Sequence, residues 1–138
     1  MAYNRPLIQS PGLPTAAPMA SGILGNVTIN ERAEDTNVAI TTSEMQRGGV
    51  NFTGFSAGRN ITTPTGAQIT AAFGEMDVGD GFMFMVSIQD AFAGTYVAGD
   101  ANVLLSGRAT TPASSWSMIV VTRLPDSGVN RQYRWRVM

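Results

Sequence analysis

Residues 65–90, TGAQITAAFGEMDVGDGFMFMVSIQD, contain a short helix, a turn and a strand in succession, and they decide the fold class. Thr65 and Gln68 have the spacing of a capping box, in which a hydroxyl accepts from the N3 amide and the N3 side chain reaches back. We therefore predict a helix of about two turns that starts after Thr65. Gly74 is its expected end, because glycine readily adopts the left-handed conformation found there.

The strand that follows has strict alternation of side chains. At a period of two, alternate residues of a strand point to opposite faces of the sheet. The residues expected to face the core are Phe82, Phe84, Val86 and Ile88. Met83 and Met85 lie on the opposite face, and exposed methionines beside a sheet favour a surface that another protein segment covers.

The composition excludes much of enzyme chemistry. The chain has 138 residues and a formal charge of -1, and it contains neither histidine nor cysteine; its nine basic residues are all arginine. Histidine general bases, thiolate nucleophiles, lysine Schiff bases, disulfides and zinc sites of the usual type are therefore excluded. We expect no enzyme, no cofactor and no metal. Glu75, Asp77 and Asp80 could in principle bind calcium, but a simple Asp/Gly turn is the favoured interpretation.

Two classes of partner are also disfavoured. A net charge near zero creates no global field that would recruit nucleic acid or an anionic membrane. No apolar run approaches the roughly 20 residues that span a bilayer, and the N-terminus lacks the pattern of a signal peptide. We therefore expect a soluble protein that binds neither nucleic acid nor membrane.

Residues 1–25 differ from the rest of the chain. Four of the seven prolines fall within the first 18 positions, and proline excludes a regular helix and favours extended backbone. The alternative is a disordered tail, but the segment lacks a run of charge and has apolar residues spaced like anchors. We predict an extended arm that lies along a partner. Its expected contact residues are Tyr3, Pro6, Leu7, Ile8 and Leu13.

Residues 26–138 have the pattern of a mainly β domain. Short runs rich in β-branched and aromatic residues recur about every ten residues and are separated by turn signals. The expected strands are 26–30, 37–42, 50–55, 60–63, 82–88, 96–97, 103–106, 115–123 and 131–137. We predict an antiparallel β-sandwich or jelly roll with one short helix and an extended N-terminal arm. We identify no internal repeat.

The last two predicted strands differ in their faces. Residues 115–123, SWSMIVVTR, are apolar on both faces, which favours a central strand, and Trp116 is expected in the core. In residues 131–137, RQYRWRV, one face of the strand carries the aromatic side chains and the opposite face carries Arg134 and Arg136. The arginines could form a solvated surface. Alternatively Arg134 and Arg136, with Arg123, pair with carboxylates across a subunit or partner interface, a role suited to the planar guanidinium.

From about residue 64 to 137 the order of these signals resembles a β module of tailed-phage virion proteins. The signals are the capped helix, a Gly-Asp-Gly-Phe turn, the alternating aromatic strand, AGTYVAGDANVLLSGRAT, SWSMIVVTRL and RQYRWRV. This half of the chain is similar to phage capsid decoration, or cement, proteins of jelly-roll type. The sequence departs from that pattern at AGDANVLLSG, where a glycine-rich hairpin turn would be expected.

The resemblance implies a homotrimer on the outer surface of the virion capsid. Its partner would be the major capsid protein, and its extended arms would bridge neighbouring capsomers. Met83, Met85, Arg123, Arg134 and Arg136 would line contacts between subunits. The competing expectation is a virion spike, fibre tip or lectin-like module that recognises a host, since a jelly roll can serve either purpose.

Overall fold

The computed structural model describes residues 27–138. The predicted arm, with Tyr3, Pro6, Leu7, Ile8 and Leu13, lies outside the described residues. In chain order the elements are β1 (Thr28–Arg32), β2 (Val38–Ala39), α1 (Thr42–Arg47), β3 (Gly48–Phe52), β4 (Arg59–Thr62), α2 (Gly66–Ala72), β5 (Gly81–Ile88), β6 (Gly94–Val97), β7 (Val103–Gly107), β8 (Thr110–Thr111), β9 (Ser115–Ser127) and β10 (Asn130–Val137).

The strands form two sheets. The large sheet has the order β1-β3-β5-β9-β10-β7, and the small sheet has the order β2-β4-β6-β8. From β1 to β9, successive strands alternate between the large sheet and the small sheet. The predicted mainly β class and two-sheet, sandwich-like architecture are confirmed.

The direction of strand pairing differs from an antiparallel jelly roll. Five pairs are parallel, namely β1 with β3, β3 with β5, β2 with β4, β4 with β6 and β7 with β10. Three are antiparallel, namely β5 with β9, β9 with β10 and β6 with β8. From β1 to β6, the chain crosses to the other sheet and returns, and each return lays the new strand parallel to the previous strand of the same sheet. The later returns differ, because β8 pairs antiparallel with β6 and β9 pairs antiparallel with β5. Periodicity in the sequence does not report this direction.

The loops that connect the two sheets stack on one another. The Thr53 amide donates to the Arg32 carbonyl at 2.9 Å, and the Asp35 carboxylate accepts from the Ser56 amide at 2.8 Å. Hydrogen bonds from the Ser56 hydroxyl and amide, and then from Arg59, lower the pKa of the exposed Asp35 carboxyl to about 2. These contacts join the β1–β2 loop to the β3–β4 loop.

Two short helices occupy equivalent places in the chain, α1 after β2 and α2 after β4. The predicted capping box of α2 is confirmed, since Thr65 accepts from the Gln68 amide and the Gln68 side chain accepts from Thr65. This helix ends at Ala72 with Phe73 as its cap rather than at a left-handed Gly74. The prediction of a single helix is wrong, because α1 is also present and has its own capping box.

The capping box of α1 extends into an ion pair. Thr41 and Glu44 satisfy each other's backbone amides, as Thr65 and Gln68 do in α2. Glu44 is buried, and its carboxylate also accepts from Arg32 at 3.2 Å and from Asn30 at 2.7 Å. The strand–loop–strand–helix unit therefore occurs twice, as β1–β2–α1 and β3–β4–α2, a structural repeat that the sequence analysis does not identify.

The core lies between the two sheets and confirms two predicted faces. Phe84, Val86 and Ile88 of β5 are buried, as are the aromatic residues of β10. The Trp135 ring meets the Phe84 ring edge-on at 5.2 Å between centroids. The remaining members of the core are Val38, Ile40, Met45, Val50, Phe52, Phe55, Ile61, Ile69, Tyr96, Val103, Ile119, Val121 and Val137.

A chain of hydroxyl groups crosses the core from the small sheet to the large one. Tyr96 Oη and Thr111 Oγ1 are 2.6 Å apart, and Thr111 donates to Ser117 Oγ at 2.9 Å. Arg108 also donates to Ser117, at 3.1 Å. Burial raises the pKa of the Tyr96 phenol to about 12, further above neutral pH than its ordinary value.

The stacked loops lead to a testable difference between two glycines. A Cβ added at Gly54 would lie 2.0 Å from the Ala33 carbonyl oxygen, whereas one at Gly58 would meet its nearest neighbour at 3.8 Å. We expect Gly54→Ala to lower the free energy of unfolding by about 1–3 kcal/mol, since overpacking forces the backbone apart. Gly58→Ala should change it by less than about 0.5 kcal/mol. Urea denaturation measures both, and equal effects would contradict the close contact between the loops.

Candidate binding face

The large sheet presents one side to the small sheet and the other to the surroundings. We call the second side the outer face. Alternation along β5, β9 and β10 assigns residues to it, because the intervening positions are buried against the small sheet. Its central residues are Met83, Met85, Trp116, Met118, Val120, Arg134, Arg136 and Met138.

The strand register gathers the apolar members of the outer face on its two middle strands. Met83 lies opposite Val120, and Met85 lies opposite Met118. The Met138 amide donates to the Met118 carbonyl at 2.9 Å, which places Met138 next to this row. Met83 is 65% exposed and Met138 54% exposed. An apolar group of this kind on a sheet is typical of a surface that binds another protein segment, and methionine adapts well to varied partners.

Trp116 belongs to the outer face, and its predicted place in the core is wrong. Its side chain is 58% exposed, while Ser117 beside it is buried. The core accepts Ser117 because Thr111 and Arg108 hydrogen-bond to its hydroxyl. Both faces of the strand are apolar in sequence, so the small polar Ser117 was the only local difference between them. It favoured the face of Trp116 as the core face, which is the wrong one. Sequence reasoning accordingly missed Trp116, Met118 and Val120 as site residues.

Arg134 and Arg136 extend the outer face onto β10. Arg136 lies opposite Val120, directly beside the apolar group, and Arg134 lies opposite Thr122. Both side chains are exposed. Among residues 27–138, neither guanidinium group forms an ion pair with a carboxylate. Two positive charges at the border of the apolar group are therefore available to acceptors on another molecule.

The structure brings four of the five predicted interface residues to one face and separates the fifth. Arg123 points to the opposite side of β9, in register with the buried Tyr133. Its guanidinium donates to the Met76 carbonyl at 2.8 Å and to Asp126 at 3.0 Å, and its side chain is only 12% exposed. Arg123 therefore holds the turn before β5 in place within the subunit and does not join the outer face.

The acidic turn before β5 has the geometry of an Asp/Gly turn. The Asp80 carboxylate accepts from the Asp77 amide at 2.9 Å, and the Asp80 amide donates to the Asp77 carbonyl at the same distance. Gly79 has a positive φ of 95°. Within the described part of the chain, no three acidic, histidine or cysteine side chains are grouped as a metal site requires. Over the same residues, neither helix is long and apolar enough to cross a membrane.

Comparisons with protein-family models, with curated proteins and with solved structures find no match to this chain. What the protein binds must therefore be inferred from the chemistry of the outer face.

The two tryptophans give a matched test of the face assignment. Trp135 is fully buried and Trp116 is largely exposed. We expect Trp135→Ala to lower the free energy of unfolding by about 3–5 kcal/mol, because it leaves a cavity. Trp116→Ala should cost less than about 1 kcal/mol, as is usual for surface positions. Chemical denaturation followed by far-UV circular dichroism measures both, and similar losses would mean that Trp116 belongs to the core.

Proposed function

We propose that this protein is a virion structural protein that binds the outer surface of a phage capsid and stabilises the capsid by bridging its subunits. In this role it is a decoration, or cement, protein located on the capsid surface. Its partners are the major capsid protein and further copies of itself in a homotrimer. The observation that carries the proposal is the outer face, on which exposed methionines and Trp116 lie beside Arg134 and Arg136.

The residue types of the outer face support a contact with protein. Methionine, tryptophan and arginine are enriched at protein interfaces, whereas lysine and acidic residues are depleted there. Tryptophan and arginine also dominate the residues whose truncation weakens binding most. Arg134 and Arg136 can bind carboxylates in two-point contacts at the border of the apolar group. A rigid sheet presents these groups without the entropy cost of ordering a loop.

The role requires contact area rather than chemistry. A decoration protein adds buried surface between capsid subunits that already touch, and a trimer joins several weak contacts into one avid attachment. An arm of 25 residues spans on the order of 80 Å when fully extended, which exceeds the diameter of a domain of this size. Tyr3, Pro6, Leu7, Ile8 and Leu13 would then dock on neighbouring subunits, as the sequence predicts.

A host-recognition module is the second candidate, and the exposed indole of Trp116 favours it. An exposed tryptophan combines an apolar surface with one hydrogen-bond donor, and such a side chain suits a spike, fibre tip or lectin-like site. Copy number in purified virions separates the two functions. A decoration protein would be distributed over the whole shell, whereas a tip would be present in a few copies at one location.

Binding to purified capsids that lack this protein tests the proposed contact face. Met83→Asp places a carboxylate in the centre of the apolar group, where contact would bury it without a partner. We expect at least about tenfold weaker binding, which corresponds to about 1.4 kcal/mol. The matched control is Val129→Asp, a fully exposed valine in the β9–β10 turn.

Co-sedimentation with capsids and the thermal stability of the particles provide the two measurements. The control variant should bind as the wild type does. A variant that lacks residues 2–20 should keep a folded domain and yet bind more weakly. Unchanged binding of Met83→Asp would rule out the outer face as the capsid or subunit contact, and unchanged binding of the deletion would rule out the arm.

A further inference from the structure

The chain enters the described structure at the edge of the outer face. Ile29 of the edge strand β1 lies opposite Gly49, and Gly49 lies opposite Met85 of β5. Met85 in turn lies opposite Met118 of β9. One continuous row therefore runs from the first strand to the centre of the apolar group. The residues before β1 start beside this row.

The residue that joins β1 to the preceding segment is itself apolar and exposed. Val27 is 68% exposed, and it lies against Gly48, since a Cβ added there would come 2.6 Å from Val27 Cγ1. Gly25 and Asn26 come immediately before it, and both residue types favour turns. The chain can therefore change direction at this point and run across the sheet.

The segment before Val27 matches the outer face in reach and in composition. Three strand spacings separate β1 from β9, which amounts to about 14 Å, and five extended residues cover about 17 Å. Arg5 is the only charged residue among positions 1–26, and Met19, Ile23 and Leu24 are apolar. An apolar segment that is tethered beside an exposed apolar face can cover it.

We propose that residues 19–24 pack across the apolar part of the outer face of their own subunit, over Met83, Met85, Met118 and Val120. The same subunit is the occupant because a short tether gives an effective concentration in the millimolar range or above, which a free second copy does not reach. Residues 3–13 would then continue beyond the sheet, and Arg134 and Arg136 would remain open to a neighbour. This inference goes beyond the proposed function, because it concerns the isolated protein: there the segment covers the apolar part of the outer face, and on a particle a capsid or neighbouring subunit would displace it.

Oxidation of methionines by peroxide, followed by mass spectrometry of the full-length isolated protein, tests the proposal. Methionine sulfoxide forms at a rate that follows exposure of the sulfur. Met76, half-buried in the turn before β5 and away from the outer face, is the internal reference. Buried Met45 gives the baseline rate. If residues 19–24 cover the face, Met83 oxidises more slowly than Met76, although it is 65% exposed on the described domain.

The double substitution Ile23→Asp/Leu24→Asp should raise the oxidation rates of Met83 and Met118 several-fold and leave Met76 unchanged. The matched control, Gln9→Asp/Ser10→Asp, adds the same charge closer to the N-terminus, outside residues 19–24. In this control Met83 and Met118 should stay protected from oxidation. The proposal is overturned if Met83 is unprotected in the wild type, or if protection survives Ile23→Asp/Leu24→Asp. Protection that disappears on dilution of the wild type would also overturn it, since a second copy would then be the cover.

Discussion

The register between β5 and β9 is the constraint on which both the core and the outer face depend. Eight consecutive pairs, from Gly81 opposite Thr122 to Ile88 opposite Ser115, join these two strands in the middle of the large sheet. Because side chains alternate with a period of two, a shift of one residue would move every side chain to the other face. Phe84 would then leave the core, and Met83 would enter it.

The rest of the structure is built on either side of this pair. On one side, β3 and β1 add to β5 in parallel, and their loops stack through the contacts of Ala33, Asp35, Gly54 and Ser56. On the other side, β10 forms a hairpin with β9, and β7 closes the sheet in parallel with β10. Two capped helices fill the connections from the small sheet back to the large one. The outer face thus belongs to a six-stranded sheet that is backed by the small sheet.

The sequence predicts those parts that depend on local chemistry. The capping box at Thr65 and the alternation in β5 and β10 are local, and the helix start and both core faces are as expected, with Phe82 only partly buried against the core. The same capping pattern at Thr41 and Glu44 could have revealed α1 and, with it, the repeated unit. The parallel pairing could not be predicted, because it depends on which sheet each short strand joins.

The site was only partly predictable for the same reason. Met83, Met85, Arg134 and Arg136 follow from simple alternation, and the structure places them together. Trp116 was misplaced because its strand is apolar on both faces, and the network that buries Ser117 comes from Thr111 and Arg108 in other parts of the chain. The sequence did not separate Arg123 from the other two arginines, because one of its partners, the Met76 carbonyl, is distant in the chain and is brought to it by the fold.

The outer face combines an apolar centre with two exposed cations, which is why we propose that it binds a partner. A cryo-EM map of intact particles that carry the protein tests this assignment most directly. We expect the outer face, with Met83 and Arg136, to be in contact with another protein segment at the capsid surface. A map in which this face is turned to solvent, with the small sheet making the contacts, would contradict the assignment.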